Sequence, residues 1–424
     1  MGIFTRRGFL AGIQALAAWS VSSRGPSRAF ASASKPETLA EDYYEKLGVE
    51  KIINAAGTYT FLTASTMPEP VRRAVDLAAR HPVRLNDLQA AAGRYLANRL
   101  RCEAALVTAG TASALTLGTA ACLTVANRSA AGNDIYRHIP AEMQELKNEV
   151  IVQKAHRYDY DHALLNCGIR FVEVETIAEY EAAFNANTVI AHFFNAAEGG
   201  SIGREDWIRI AHKHGVPCMN DAAADVPPVS NLWNYTQMGF DLVCFSGGKG
   251  MRGPQNAGLL LGKKELIEAA AQNNNPISDR VGRGMKVAKE QIVGMVAAVD
   301  WFLSQTDEAM ESDFNRRAQT IADRLRDIPS LRSHIYVPEV ANHVPHLLLH
   351  YDSERVKIAA VDVMKALRAG NPSIELNPAT GTSQRAGIPS DENTIVVGVW
   401  MLQPGEEQIV AERLHQVLSE ASRA

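Results

Sequence analysis

The sequence predicts an α/β protein in two parts: a large domain on a mostly parallel sheet wrapped by helices, then a smaller C-terminal α/β domain. Three observations predict it. Short apolar runs alternate with amphipathic helical stretches from Ile52 onward, the pattern changes after residue 300, and 424 residues exceed one average domain. The runs fall at 104–107, 150–153, 171–174, 189–194, 216–220, 242–245 and 258–261, and such alternation is the signature of a parallel sheet covered by helices. A long apolar-periodic helix follows at 289–304. After it come helix, strand, helix and strand, ending in an amphipathic helix at 405–418. The large domain is therefore expected at 50–300 and the small one at 301–424.

Residues 1–31 read as a twin-arginine-type export signal. Thr5-Arg6-Arg7-Gly8-Phe9-Leu10 precedes an uncharged, Ala-rich run to Ser23, and Ala29-Phe30-Ala31 offers a small-residue cleavage site. No acid appears before Glu37, and the apolar run is too short to span a bilayer. Residues 32–49 read as an exposed polar arm that settles into a helix near 41–47. The expected location is periplasmic, with no stable membrane association once the signal is removed. Without residues 1–31 the chain has 39 bases against 47 acids, a formal charge of -8, which argues against a nucleic-acid partner. The five cysteines, Cys102, Cys122, Cys167, Cys218 and Cys244, are odd in number and scattered in apolar contexts. They read as buried thiols, and no Cys/His spacing marks a metal site.

The densest chemical signal runs from Asp241 through Phe245-Ser-Gly-Gly-Lys249-Gly-Met-Arg-Gly-Pro-Gln-Asn-Ala-Gly258. Six of the thirteen residues after Phe245 are Gly or Pro, so no helix forms and the loop must hug something closely. A lysine just beyond a strand's carboxyl end lies in the crevice where open α/β sheets bind ligands. Schiff-base chemistry needs such a lysine, because desolvation and nearby cations free a neutral amine. Ser246 and the loop amides suit a phosphate. Upstream, the run at 216–220 leads into Asp221-Ala-Ala-Ala. Pyridoxal 5'-phosphate acts as an electron sink only while its ring nitrogen stays protonated, and a buried carboxylate beside that nitrogen holds the proton. Asp221 fits that role, Lys249 that of the cofactor lysine.

Val107-Thr-Ala-Gly110-Thr111-Ala112-Ser113-Ala-Leu115 passes from a strand into a small-residue helix. Free amides at its start, with the hydroxyls of Thr111 and Ser113, make an anion site for the cofactor phosphate. His156, just after the run at 150–153, is expected to stack on the cofactor ring or shuttle protons. The expected cofactor set is thus Gly110, Thr111, Ala112, Ser113, His156, Asp221, Ser246 and Lys249, with Lys249, Asp221 and His156 catalytic.

The Lys249 loop, Asp221-Ala-Ala-Ala, Ile53-Asn-Ala-Ala-Gly-Thr58 and Leu402-Gln-Pro-Gly-Glu406 together resemble the selenocysteine-synthase-related group that includes D-glucosaminate-6-phosphate ammonia-lyase. The likeness covers about residues 45–415. It implies the aspartate-aminotransferase-like fold (PLP fold type I) and a homodimer with the active site at the subunit interface. It also implies a small amino-acid or amino-sugar-acid substrate met by Asn54, Thr58, Arg252 and Gln403. Gln403 stands where a basic residue is expected in this group, and Arg252 is the candidate substitute. The reaction this implies is Cα deprotonation followed by β-elimination, with transamination or racemisation on the same fold as alternatives. Selenocysteinyl-tRNA synthesis is disfavoured by the acidity, the apparent export and the lack of a sizeable N-terminal RNA domain. A non-catalytic exported binding protein on the same fold is the reading from another class.

Two other readings fall to the residues themselves. Ser246-Gly-Gly-Lys249 matches the Ser-x-x-Lys of penicillin-binding proteins, but neither Ser-Asp-Asn nor Lys-Thr-Gly occurs and the glycines forbid the required helix. No Gly-x-x-x-x-Gly-Lys-Ser/Thr is present, which removes a P-loop.

Overall fold

The computed structural model of the protein describes residues 41–196, 199–382 and 387–423. The expected export signal and most of the expected polar arm lie outside the described residues. Residues up to Glu50 form a unit of their own. Its described part is the helix Tyr43–Leu47, started by the Asp42 carboxylate accepting the Tyr44 and Glu45 amides and stopped by Gly48 in the left-handed region.

The second unit, Lys51–Ala424, is built on three sheets. Its strands are β1 (Ile52–Ala55), β2 (Ala104–Thr108), β3 (Glu149–Gln153), β4 (Arg170–Val174), β5 (Thr188–Phe194), β6 (Cys218–Asp221), β7 (Leu242–Ser246), β8 (Gly258–Gly262), β9 (Arg332–Tyr336), β10 (His346–His350), β11 (Ser373–Leu376) and β12 (Thr394–Gly398). Seven of them form one sheet in the order β2-β8-β7-β6-β5-β3-β4, in which β8 alone runs against its neighbours. The seven apolar runs of the sequence are these seven strands. β5, Thr-Val-Ile-Ala-His-Phe-Phe, is buried on both faces because helices cover both, as parallel sheets require. The run expected at 216–220 pairs as Cys218–Asp221, because Pro217 has no amide proton to give the ladder.

Two apolar cores sandwich this sheet. One holds Trp207, Phe245 and Met295; the other holds Leu115, Leu123 and Leu260. The helix Gly110–Ala131 is apolar around most of its circumference because it lies between β7 and β8 on one side and the helix Lys264–Gln272 on the other. Each fully buried leucine in it adds about 1.5–3 kcal/mol of transfer free energy.

The three-stranded antiparallel sheet β12-β10-β9 and the parallel pair β1-β11 share a third core with the helices Asp307–Arg324, Ala360–Arg368 and Glu406–Arg423. Ile53 and Ala55 of β1 are packed into this C-terminal core. The helix expected at 289–304 is Lys289–Leu303, and the last helix extends beyond the expected 418 to Arg423. Among the described residues no helix is long and apolar enough to cross a membrane.

Candidate active site

The carboxyl ends of β3, β5, β6 and β7 open onto one cavity of about 1220 Å³, where a parallel sheet exposes loops rather than strand edges. Gly110, Thr111 and Ala112 line it from the helix start, and Ala155, Tyr158 and Tyr160 from the turn after β3. Phe194 closes β5, Asp221 closes β6, and Ser246, Lys249, Gln255 and Asn256 come from the β7–β8 loop. The segment from Tyr336 to Asn342, between β9 and β10, completes the wall. Its Asn342 amide donates to the Ala224 carbonyl at 2.7 Å.

The β7–β8 loop is held by close backbone approach. A Cβ on Gly250 would lie 2.0 Å from the Val226 carbonyl oxygen, and one on Gly258 would lie 2.6 Å from the Gly110 carbonyl carbon. The second contact presses the lysine loop against the start of the anion-binding helix. Ser65 Oγ donates to the Gly248 carbonyl at 2.6 Å and pins the loop from the other side.

Lys249 faces the cavity half-buried, and its amine makes no hydrogen bond or ion pair with any described residue. Burial holds this amine below the ordinary lysine range, opposed by the charges of Asp221 and Asp225. Asp221 is 3% exposed. Its Oδ1 accepts the Ala223 amide at 3.0 Å and its Oδ2 accepts the Tyr158 hydroxyl at 2.5 Å. Burial pushes the Asp221 carboxyl up, while Tyr158, the Ala223 amide and Lys249 pull it back. At the helix start no side chain caps the free amides, and the buried Thr111 hydroxyl has no partner.

Six of the expected site residues do not line this cavity: His156, Ser113, Asn54, Thr58, Arg252 and Gln403. His156 is 3% exposed, edge-on to Phe193 at 4.5 Å, and its Nδ1 accepts the Phe194 amide at 3.3 Å. Burial drives it down to about 4, which makes it a neutral packing residue. Tyr158, two residues on, takes the cavity face instead, with its ring stacked on Phe194 at 3.9 Å. Ser113 is buried with an unpaired hydroxyl and lines a smaller neighbouring cavity. Asn54 is spent locally: its side chain accepts the Ala56 and Gly57 amides at 3.0 Å and donates to the Gly57 carbonyl at 3.0 Å. Thr58 is buried and also off the cavity.

Arg252 and Gln403 do meet, though not on the cavity wall. Arg252 Nη2 and Gln403 Nε2 both donate to Thr66 Oγ1, at 2.8 and 2.9 Å. Burial and the cations of Arg317 and Arg72 push the Arg252 guanidinium below its ordinary range.

Sequence reading missed a buried network behind the Asp221 turn. Asn195 donates to Tyr235 at 2.8 Å and to Asp225, and accepts from Arg204. Burial raises Asp225 to about 7. The signal was in plain view, since Asp225 follows Asp221-Ala-Ala-Ala directly.

The donor set fits pyridoxal phosphate. An unpartnered lysine amine, a buried carboxylate and an uncapped helix start with an orphaned hydroxyl face one cavity. Lys249 would hold the aldehyde end, Asp221 the ring nitrogen, and Gly110, Thr111 and Ser246 the phosphate.

Comparison with known proteins agrees. Residues 170–349 match the family model for Aminotransferase class-V. A 5'-C-glycyluridine monooxygenase-decarboxylase of Streptomyces sp is 28% identical over 88% of this chain and 92% of its own. D-glucosaminate-6-phosphate ammonia lyase of Salmonella typhimurium is 23% identical over 91% of this chain and 100% of its own. A solved structure of D-glucosaminate-6-phosphate ammonia-lyase superposes with a TM-score of 0.74 at 23% identity over the same shares. An L-seryl-tRNA(Sec) selenium transferase of Proteus mirabilis is 26% identical over 79% of this chain and 71% of its own. These matches point to pyridoxal phosphate as the cofactor. The chain is a fold-type-I, pyridoxal-phosphate-dependent enzyme related to the D-glucosaminate-6-phosphate ammonia lyases and the L-seryl-tRNA(Sec) selenium transferases.

Proposed function

We propose that the enzyme removes the Cα proton of a small amino acid or amino-sugar acid and expels a β-substituent, in the manner of an ammonia lyase. The observation that carries this reading is the pairing of an unpartnered Lys249 amine with a buried Asp221 across one cavity. The cofactor supplies an electron sink for the charge left on Cα. Lys249, whose amine burial holds below the ordinary lysine range, is the base that takes the proton on Nζ. Asp221, fixed by two hydrogen bonds, would hold the ring nitrogen of the bound cofactor and keep it protonated. The uncapped helix at Gly110 and the Thr111 hydroxyl would orient the phosphate. The Tyr336 to Asn342 segment forms one wall of the cavity.

The 28% identity to a monooxygenase-decarboxylase favours one second reading, loss of the substrate carboxylate rather than the Cα proton. We also propose that the enzyme acts outside the cytoplasm, carried there by the Arg6-Arg7 signal, as a homodimer. The site is tested by recording absorbance of the purified protein and screening D- and L-amino acids and amino-sugar acids for ammonia and carbon dioxide. Ammonia with solvent exchange at Cα is the expected outcome, and Lys249→Ala should lower turnover at least about 10³-fold. Carbon dioxide without exchange would transfer the proposal to decarboxylation. A chromophore that persists unchanged in Lys249→Ala would end it.

A further inference from the structure

At the far end of β6 from Asp221, three side chains of metal-ligating type converge. Cys218 opens β6, His212 lies in the last turn of the preceding helix Arg204–Lys213, and Asp241 stands just before β7. His212 Nε2 is 2.9 Å from Asp241 Oδ2, and Cys218 Sγ is 3.4 Å from the same oxygen and 3.9 Å from His212 Nε2. No sequence spacing marks this trio, because only the parallel pairing of β6 with β7 brings Asp241 beside Cys218.

Zinc holds a histidine nitrogen at about 2.0–2.1 Å, a carboxylate oxygen at about 2.0–2.2 Å and a thiolate sulfur at about 2.3 Å. Tetrahedral angles then put nitrogen and oxygen about 3.4 Å apart, and sulfur about 3.6 Å from each of them. The three separations here depart from that face by about 0.5 Å or less, within reach of small side-chain rotations. The Cys218 amide also donates to Asp241 Oδ2 at 2.8 Å, the kind of supporting bond that fixes a ligating carboxylate. Cys218 is fully buried, whereas the His212 side chain is 44% exposed and that of Asp241 13%. One side of the trio therefore opens to solvent.

We infer that His212, Cys218 and Asp241 form a binding site for a divalent cation of the zinc class, with its fourth position open to water. A mixed nitrogen, sulfur and oxygen set suits a borderline ion and disfavours magnesium or calcium, which want oxygen alone. Binding replaces the Cys218 thiol proton, which leaves to solvent. The ion would tie the helix Arg204–Lys213 and the start of β7 to the strand that presents Asp221 at its other end. The competing account is a plain His212–Asp241 ion pair with the thiol as a donor, which needs no ion.

The test uses the full, cofactor-loaded chain dialysed against micromolar zinc and then analysed for metal. One zinc per chain is expected in wild type, falling to background in His212→Gln and Cys218→Ser. Cobalt should give a thiolate charge-transfer band, read as a difference against Cys218→Ser carrying the same cofactor, and magnesium should not displace it. His212 is exposed, so His212→Gln keeps the test readable even if the Cys218 variant does not fold. Equal zinc in wild type and His212→Gln, or no zinc in wild type, overturns the inference.

Discussion

The cavity end of the seven-stranded sheet and the C-terminal core handle buried polar groups differently. At the cavity wall Thr111 Oγ1, and behind it Ser113 Oγ, both ring nitrogens of His192 and Asp225 Oδ1, are buried without partners. In the C-terminal core, His346 donates to the Val344 carbonyl, Asn377 to the Ala56 carbonyl and Thr394 to Asp391, while Glu407 is met by Arg316. Arg317, Trp400 and Arg413 each leave one nitrogen unmet there. Buried polar atoms without partners are costly and usually have a reason. Thr111 lines the cavity, where a ligand's own polar groups can complete it, whereas the atoms behind the wall stay unmet at a cost to stability. The C-terminal core carries the opposite bias.

The sharpest way to break that contrast is Asp221→Asn. Loss of the buried carboxylate should cut kcat by about 10³-fold, the scale of removing one preorganised electrostatic group. Because burial raises the Asp221 carboxyl, its ionised form is a burden on the folded protein at neutral pH. The cofactor-free variant should therefore melt no lower than wild type. A fall in its melting temperature would show Asp221 to be a structural anchor.

The mirror experiment is Leu347→Ala in β10, a fully buried residue of the C-terminal core. Truncation there should cost about 2–5 kcal/mol of unfolding free energy, read by denaturant titration. At a temperature where the variant stays folded, kcat should be unchanged. A matching loss of kcat would mean that the two regions are coupled rather than divided by task.

What the sequence made legible follows from local chemistry. Lys249 and Asp221 announce themselves because glycines and small residues frame them at strand ends, and the strand runs stand out because both sheet faces are covered. What it hid depends on rotation and tertiary approach. Thr111 and Ser113 are two residues apart on one helix, about 200° around its axis, so they cannot both face one cavity. His156 and Tyr158 straddle a turn whose twist no pattern encodes, and it is Tyr158 rather than His156 that lines the cavity. The meeting of Arg252 and Gln403 on Thr66 joins residues 186 and 337 positions from it, an approach that sequence alone could not supply.

The smallest expected effect tests how finely the cavity is tuned. Tyr158→Phe keeps the ring on Phe194 but removes the hydroxyl that Asp221 Oδ2 accepts. That bond pulls the carboxyl down against the upward push of burial, so without it the Asp221 carboxyl rises further. A carboxyl raised in this way takes up its proton sooner as pH falls. The acid limb of the kcat profile should therefore move to higher pH, with kcat near neutrality down only about threefold to tenfold. The ionised form needed at the ring nitrogen is the one being lost, which sets the sign. An acid limb that stays in place while kcat drops would mean that Tyr158 acts on the substrate or the ring directly, and that the Ala223 amide alone suffices to hold Asp221.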